Sequence, residues 1–246
     1  MSFDFRPVAV VPTYDNPRTV RGVVEALREW LPDVIVVDDG SGPEGQAVIE
    51  SLGLAGLAHV VRRAANGGKG AAVKAGFARA RELGSTHVLQ VDADGQHTLT
   101  DAPALLAAAR AQPTALVLGR PIFDSSVPRS RLLGRQLTIF CTHVETGGFQ
   151  VADPMCGFRV YPLAPVVGLR CGDRMDFDIE VVVRLVWRGV PVVNVPTHVR
   201  YMTAAEGGVS HFRMFEDNVR ITWLHIRLIV EAGLRLLTWP LRALAR

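Results

Sequence analysis

Along its N-terminal part, the chain runs four times from a short apolar stretch towards a polar cluster. Pro7 to Pro12 leads to Thr13-Tyr14-Asp15, and Val34 to Val37 leads to Asp38-Asp39-Gly40-Ser41. Leu57 to Val61 precedes Asn66-Gly67-Gly68-Lys69-Gly70, and His87 to Val91 ends at Asp92-Ala93-Asp94-Gly95-Gln96. Near-continuous apolar runs of this length read as strands covered on both faces. Helical signals lie between them. Asn16-Pro17 reads as a cap followed by a first-turn proline, and Val20, Val23, Val24, Leu27 and Leu31 form the apolar stripe behind it. An Ala-rich helix is expected from the Gly-rich turn to about Leu83, another from about Asp101 to Ala111, then a strand from Ala115 to Leu118. Alternation of this kind specifies an α/β fold with a mostly parallel sheet and right-handed crossovers. In such sheets ligands bind outside the carboxyl ends of the strands, which is where all four polar clusters fall.

The second half is less regular. A helix is expected from Arg129 to about Gly147, a turn into a strand over Asp153 to Val160, and a helix over Asp178 to Trp187 with Gly189 behind it. Val190 to Tyr201 reads as a strand near a sheet edge because prolines interrupt it, and the glycines at 207 and 208 make Ala204 to Ser210 an expected mobile loop. With 246 residues, 48% of them apolar, and neither linker nor repeat, the reading is one globular domain over residues 1–211 with a helical tail over 212–246. Cys141, Cys156 and Cys171 lack metal-type spacing, and with no signal peptide they are expected to be reduced cytosolic thiols. The net charge of +3 is concentrated in the tail, which excludes the broad basic patch of a nucleic-acid binder.

Asp92, Asp94 and Gln96 offer hard oxygen ligands at the end of a strand. That donor set suits Mg²⁺ or Mn²⁺, which take one or two carboxylates and complete their shell with substrate phosphate and water. The plain alternative is a solvated acidic loop before a helix. Asn66 to Gly70 is not a Walker A loop; it is either an ordinary tight turn or a helix N-terminus bringing N–H groups and Lys69 towards a ligand.

Taken in order, Val-Pro-Thr-Tyr-Asp, Val-Asp-Asp-Gly-Ser, Asn-Gly-Gly-Lys-Gly, Asp-Ala-Asp-Gly-Gln and Cys-Gly-Phe-Arg resemble the motifs of family 2 glycosyltransferases of the GT-A fold. The similarity covers roughly Val8 to His211. It is greatest to the short branch that includes dolichol-phosphate mannosyltransferase and bacterial polyprenyl-phosphate glycosyltransferases. The resemblance implies a UDP- or GDP-sugar donor, with Pro12, Tyr14 and Asp15 framing the nucleotide pocket and Asp39 on the base or ribose. The family's usual Asn-Glu after the Tyr is Asp15-Asn16 here, so the carboxylate has moved by one position. Lys69 would approach the donor, Asp94 assisted by Asp92 would hold the metal on the diphosphate, and transfer would invert the anomeric centre. Arg129 and Arg131 would hold the phosphate of a lipid-linked acceptor, for which guanidinium forks are suited. With a hydroxyl acceptor instead, Asp153, Asp176, Asp178 or Glu180 would have to act as base. Ser210 and His211 fall where relatives carry a diphosphate-binding Ser-Lys pair. A glycosyltransferase acting on a hydroxyl of another lipid, acyl or pigment chain, and a non-catalytic nucleotide-sugar-binding protein, remain the competing readings.

In the tail, Arg220, Arg227, Glu231, Arg235, Thr238, Arg242 and Arg246 fall within an arc of about 100° on a helix, and the remaining face is apolar. The arginines rule out a bare membrane span. The expectation is an amphipathic helix at the inner face of the cytoplasmic membrane, its arginines attracting anionic lipid; packing on the domain or on a second subunit in a homo-oligomer is the alternative. Pro240 should bend or end that helix.

Overall fold

The computed structural model describes residues 4–124, 127, 129–200 and 212–244, with the backbone alone at 129–131 and 239–244. One seven-stranded sheet contains β1 (Pro7–Thr13), β2 (Val34–Asp38), β3 (His59–Arg62), β4 (His87–Gln90), β5 (Leu116–Phe123), β6 (Arg159–Pro162) and β7 (Val192–Val199). Their order across the sheet is β3-β2-β1-β4-β6-β5-β7. All pairings are parallel except those of β6, which runs antiparallel between β4 and β5. The helices are α1 (Val20–Arg28), α2 (Pro43–Leu54), α3 (Lys69–Glu82), α4 (Ala102–Ala111), α5 (Arg129–Thr146), the single turn α6 (Leu163–Val166), α7 (Phe177–Trp187) and α8 (Met214–Leu244).

Strand side chains alternate between faces with a period of two, and here both faces are apolar. Ala9, Val11, Val34, Val36 and Leu89 pack against Val20, Val24 and Leu27 of α1, Ile49 and Leu52 of α2, and Leu105 of α4. Val8, Val10, Ile35, Val37 and Val88 pack against Val73 and Phe77 of α3 and Val181, Val182 and Leu185 of α7. The result is the three-layer α/β architecture expected from the alternating runs. Each buried Val or Leu contributes about 1.5–3 kcal/mol, so the doubly covered strands dominate the core energy. Helix α3 lies very close to the sheet: a Cβ on Gly76 would meet Val10 Cγ1 at 2.3 Å.

Several local expectations need correction. Helix α1 begins at Val20, because Asn16 to Thr19 forms a turn in which the Asn16 carbonyl accepts from Thr19 N and Val20 N. Helix α2 has no counterpart in the sequence reading; its buried stripe is just Gly45, Ile49 and Leu52, although Gly42-Pro43 is a helix-start pair. Strand β5 extends to Phe123 because it pairs along its full length with β7, the edge strand. Helix α8 runs through Pro240 to Leu244, so that proline does not end it. Gly189, at φ +80°, does follow α7 as expected. The expected loop Ala204 to Ser210 lies outside the described residues. The three cysteines are free.

Helix α8 is not a detached tail. Ile221, Leu224 and Leu228 are buried against Ile179 and Val183 of α7. His225 Nδ1 meets Glu145 Oε1 of α5 at 2.6 Å, both side chains being buried. Among the described residues, no helix is long and apolar enough to cross a membrane.

Candidate active site

A cavity of about 910 Å³ opens at the carboxyl ends of β1, β2 and β4, as the strand order requires. Pro12, Thr13, Tyr14, Asn16, Asp39, Asn66, Gly68, Lys69, Asp92, Asp94 and Gln96 line it. Its far wall comes from α5 (Gly134, Arg135, Thr138), from Met155 and Asp178, and from the start of α8, including Asp217, Arg220 and Ile221. Four sequence-distant motifs therefore converge on one space.

Lys69 is the first residue of α3, and Gly68 ahead of it adopts φ +100°, a conformation that favours glycine. That turn aims the ammonium between two carboxylates: 2.8 Å from Asp92 Oδ2 and 2.6 Å from Asp178 Oδ2. Burial opposes the ammonium charge, but Asp178 and then Asp92 outweigh it and hold the pKa above the ordinary lysine value. Burial likewise works against the Asp92 carboxylate, and Lys69 overcomes it, so the Asp92 pKa falls. Asp94 has the opposite fate. Burial and the neighbouring Asp92 charge push it up to about 6, although Gln96 N donates to its Oδ1 at 3.0 Å. Asp92 is also boxed in from behind: a Cβ on Gly157 would lie 2.1 Å from its Oδ2.

The donor set fits a divalent cation. Asp92 Oδ1 is buried with no hydrogen-bond partner among the described residues, burial and the Asp92 charge disfavour ionisation of Asp94, and Gln96 lines the same cavity. Two carboxylates and a neutral oxygen beside open space match an ion that completes its shell with diphosphate.

The remaining expected residues are placed unevenly. Asp39 lines the cavity, but its carboxylate already accepts from Gly67 N (3.1 Å) and Gly68 N (2.7 Å) and pairs with Arg63 Nε (2.7 Å). The N–H groups of the Gly-rich turn are thus turned to Asp39, and Ala71 N of α3 to the carbonyl of Asp173. Asp38 orients its turn through Ser41 N at 2.9 Å. Asp15, at φ +49°, does not line the cavity; its Oδ1 accepts from Gly42 N at 2.7 Å, and Asn16 takes the place on the wall. Arg129 and Arg131 sit in the first turn of α5, where the backbone alone is described. Ser210 and His211 lie outside the described residues.

Asp153 is buried in a two-pronged pair with Arg135, with Nη2 at 2.8 Å from its Oδ1 and Nε on its Oδ2, and it also accepts from Met155 N. Glu180 is buried and held by Arg184, Arg227 and Gly172 N. Asp176 does not line the cavity. Arg159, fully buried, donates to the carbonyls of Cys156, Asp178 and Pro154 and sits 3.7 Å from the Asp178 carboxylate, a structural ion pair.

Sequence reasoning missed Arg135 and Thr138 as wall residues, and it missed the second carboxylate on Lys69, because nothing local links α5 or α7 to the Asp-x-Asp turn. It also missed His97, next to Gln96. That ring is buried, its pKa is pushed down to about 4 by desolvation, and its Nδ1 has no partner among the described residues.

The profile described as "Glycosyl transferase family 2" matches residues 8–163, the part that carries β1 to β6 and every motif around the Asp-x-Asp turn. The chain belongs to that family. It is a glycosyltransferase. It is 28% identical over 249 residues to polyprenol monophosphomannose synthase of Mycolicibacterium smegmatis, covering 96% of this chain and 88% of that one. It is 35% identical over 109 residues to undecaprenyl-phosphate mannosyltransferase of Micrococcus luteus, covering 43% and 44% of the two chains. Among solved structures it is similar to glucosyl-3-phosphoglycerate synthase from Mycobacterium tuberculosis in complex with Mn²⁺ and UDP-glucose. There the TM-score is 0.70 at 16% identity, covering 93% of this chain and 79% of that one, which supports the GT-A fold.

Proposed function

We propose that this family 2 glycosyltransferase moves a sugar, with inversion and with Mg²⁺ or Mn²⁺, from a UDP- or GDP-sugar to a polyprenyl phosphate at the inner face of the cytoplasmic membrane. One observation carries the choice of acceptor. Among the described residues, four acids on the acceptor side are engaged: Asp153 by Arg135, Asp178 by Lys69, Glu216 by the Arg213 side chain at 3.0 Å, and Asp217 by Arg213 N at 2.8 Å. A hydroxyl acceptor needs a base to take its proton, whereas a phosphate is already a nucleophile near neutral pH. The names of the two mannosyltransferase relatives point the same way.

In this reading Pro12, Tyr14, Asn16 and Asp39 receive the nucleotide, Asp39 through lone pairs that its loop contacts leave over. Asp92, Asp94 and Gln96 would hold the cation. Bound there, it would neutralise the departing nucleoside diphosphate. Lys69 keeps Asp92 ionised and fixed, so the first carboxylate stays charged and in position. Arg135 stands on the wall facing that site, and Arg129 and Arg131 are one to two turns earlier on the same helix; their guanidinium groups would orient the acceptor phosphate.

The experiment compares a short-chain polyprenyl phosphate with the matching polyprenol, using labelled UDP- and GDP-sugars with Mn²⁺, Mg²⁺ or chelator. Transfer to the phosphate alone, abolished by chelator, is expected. Equal transfer to the alcohol would return the acceptor to the hydroxyl class.

A further inference from the structure

We propose that α5 and α8 together form one apolar plane that lies on the lipid bilayer, with the cavity opening at its edge, and that Arg227 and Arg235 of α8 take no part in the contact. The inference deepens the lipid-linked-acceptor reading and rests on it for the choice of a bilayer over another partner.

Both helices begin at the cavity: Gly134 and Arg135 of α5, and Asp217 and Ile221 of α8, line it. They run in the same direction. Trp187 touches both near their far ends, donating to the Glu145 carbonyl of α5 and lying under the Arg235 guanidinium of α8. Where they touch, Glu145 of α5 bonds His225 of α8. At about 100° per residue, the row Leu133, Leu137, Phe140, Val144 of α5 is about 110° from Glu145 and opposite Arg135, which points to the domain through Asp153. On α8 the row Phe215, Val219, Trp223, Ile226, Val230, Leu237 is about 120° from His225 and opposite Leu228, which is buried on α7. For two parallel helices with these senses of rotation, both rows face one side, away from the sheet. All ten side chains are exposed, from 49% at Val144 to 82% at Phe215.

A surface groove on α8 lined by Phe215, Val219, Trp223 and Ile226 shares Met214 and Asn218 with the cavity, so the plane continues into the site. That continuity selects the occupant. A bilayer would present an acceptor whose phosphate enters the cavity while its chain stays in lipid; a protein seated on the same face would cover the mouth. Two arginines of the row expected to attract lipid are engaged within the protein. Arg227 pairs with buried Glu180 at 2.8 Å, and Arg235 with Glu231 at 3.4 Å and with the Trp187 ring at 4.6 Å. With those two arginines turned inward and ten apolar side chains outward, the contact works by apolar insertion.

Flotation of the full-length protein with phosphatidylcholine vesicles tests this. Binding should be the same at about 50 and about 500 mM salt. The α5 variant L137S/F140S and the α8 variant W223S/I226S should each reduce partitioning about tenfold or more. Circular dichroism and elution volume check that these surface changes leave the fold intact. Three outcomes would overturn the proposal: binding that needs anionic lipid and is lost in salt; undiminished flotation of the α5 variant; or a wild-type dimer that fails to float and that these substitutions split, which would make the face an interface between copies. Transfer by the wild type to a water-soluble short-chain acceptor, without vesicles, is read separately. If flotation behaves as expected and that transfer is absent, the acceptor reading fails and the membrane plane stands.

Discussion

Two carboxylates one residue apart have unlike chemistry here because of what each one touches. Lys69 compensates Asp92, whereas burial and then the neighbouring Asp92 charge push the Asp94 pKa up to about 6. Asp94→Asn should therefore abolish Mn²⁺- or Mg²⁺-dependent transfer, by about a hundredfold or more, while raising the melting temperature measured in chelator. Full activity in that variant, or wild-type activity undiminished by chelator, would sink the metal assignment. Gly157→Ala acts on the other carboxylate from behind. Its Cβ would overlap Asp92, so the side chain must shift, and transfer should fall about tenfold or more while the fold is kept. Kinetics at saturating donor, with circular dichroism as the fold check, would decide.

At the scale of elements, the unexpected part is α8. An Arg-rich amphipathic tail reads as separable, yet its first four turns complete the core over α7 and close one wall of the cavity. A chain cut after Val219 should melt markedly lower or aggregate, because Ile179 and Val183 lose Ile221, Leu224 and Leu228, and because buried Glu180 loses Arg227. A single Leu224→Ala already removes about 2–4 kcal/mol by cavity formation. A chain cut after Gly233 keeps all of these contacts and should melt close to the full-length protein. Thermal denaturation of the two truncations, side by side, is the measurement. Equal melting of both would mean that the helix contributes nothing to the core.

The stability of the whole molecule should also depend on pH through a histidine far from the site. His87 is buried at the start of β4, its ring tilted against Phe5 and bonded through Nε2 to the Pro113 carbonyl at 2.9 Å. Burial lowers its pKa below 6.5. The unfolded chain takes up a proton near pH 6.5 that the folded chain resists, so the unfolded state binds more protons and stability falls as pH drops below about 6.5. His87→Gln should flatten that decline in urea titrations between about pH 7.5 and 5.5, relative to the wild type. An unchanged slope would show that other groups, such as His97, govern the acid limb.

The apolar runs by themselves fixed the α/β class, because a strand apolar on both faces needs helices on both sides, and the polar residues that end each run had to meet at the carboxyl edge. Pro12, Tyr14, Asp39, Lys69, Asp92, Asp94 and Gln96 were legible for that reason, and all of them line the cavity. What they do there was not legible, since a side chain's role depends on partners far along the chain. The sequence could not show that Asp39 binds its own loop, that Asp15 turns to Gly42, or that Asp178 shares Lys69 across more than a hundred residues. Arg135 and Asp153 become one unit once α5 is laid beside the segment leading into β6. Helix periodicity likewise showed that α8 has an arginine row and an apolar face, because 3.6 residues per turn are common to every helix. Which face meets the domain was decided by tertiary packing alone: Glu180 and Trp187 of α7 take Arg227 and Arg235, and the apolar row is left pointing outward.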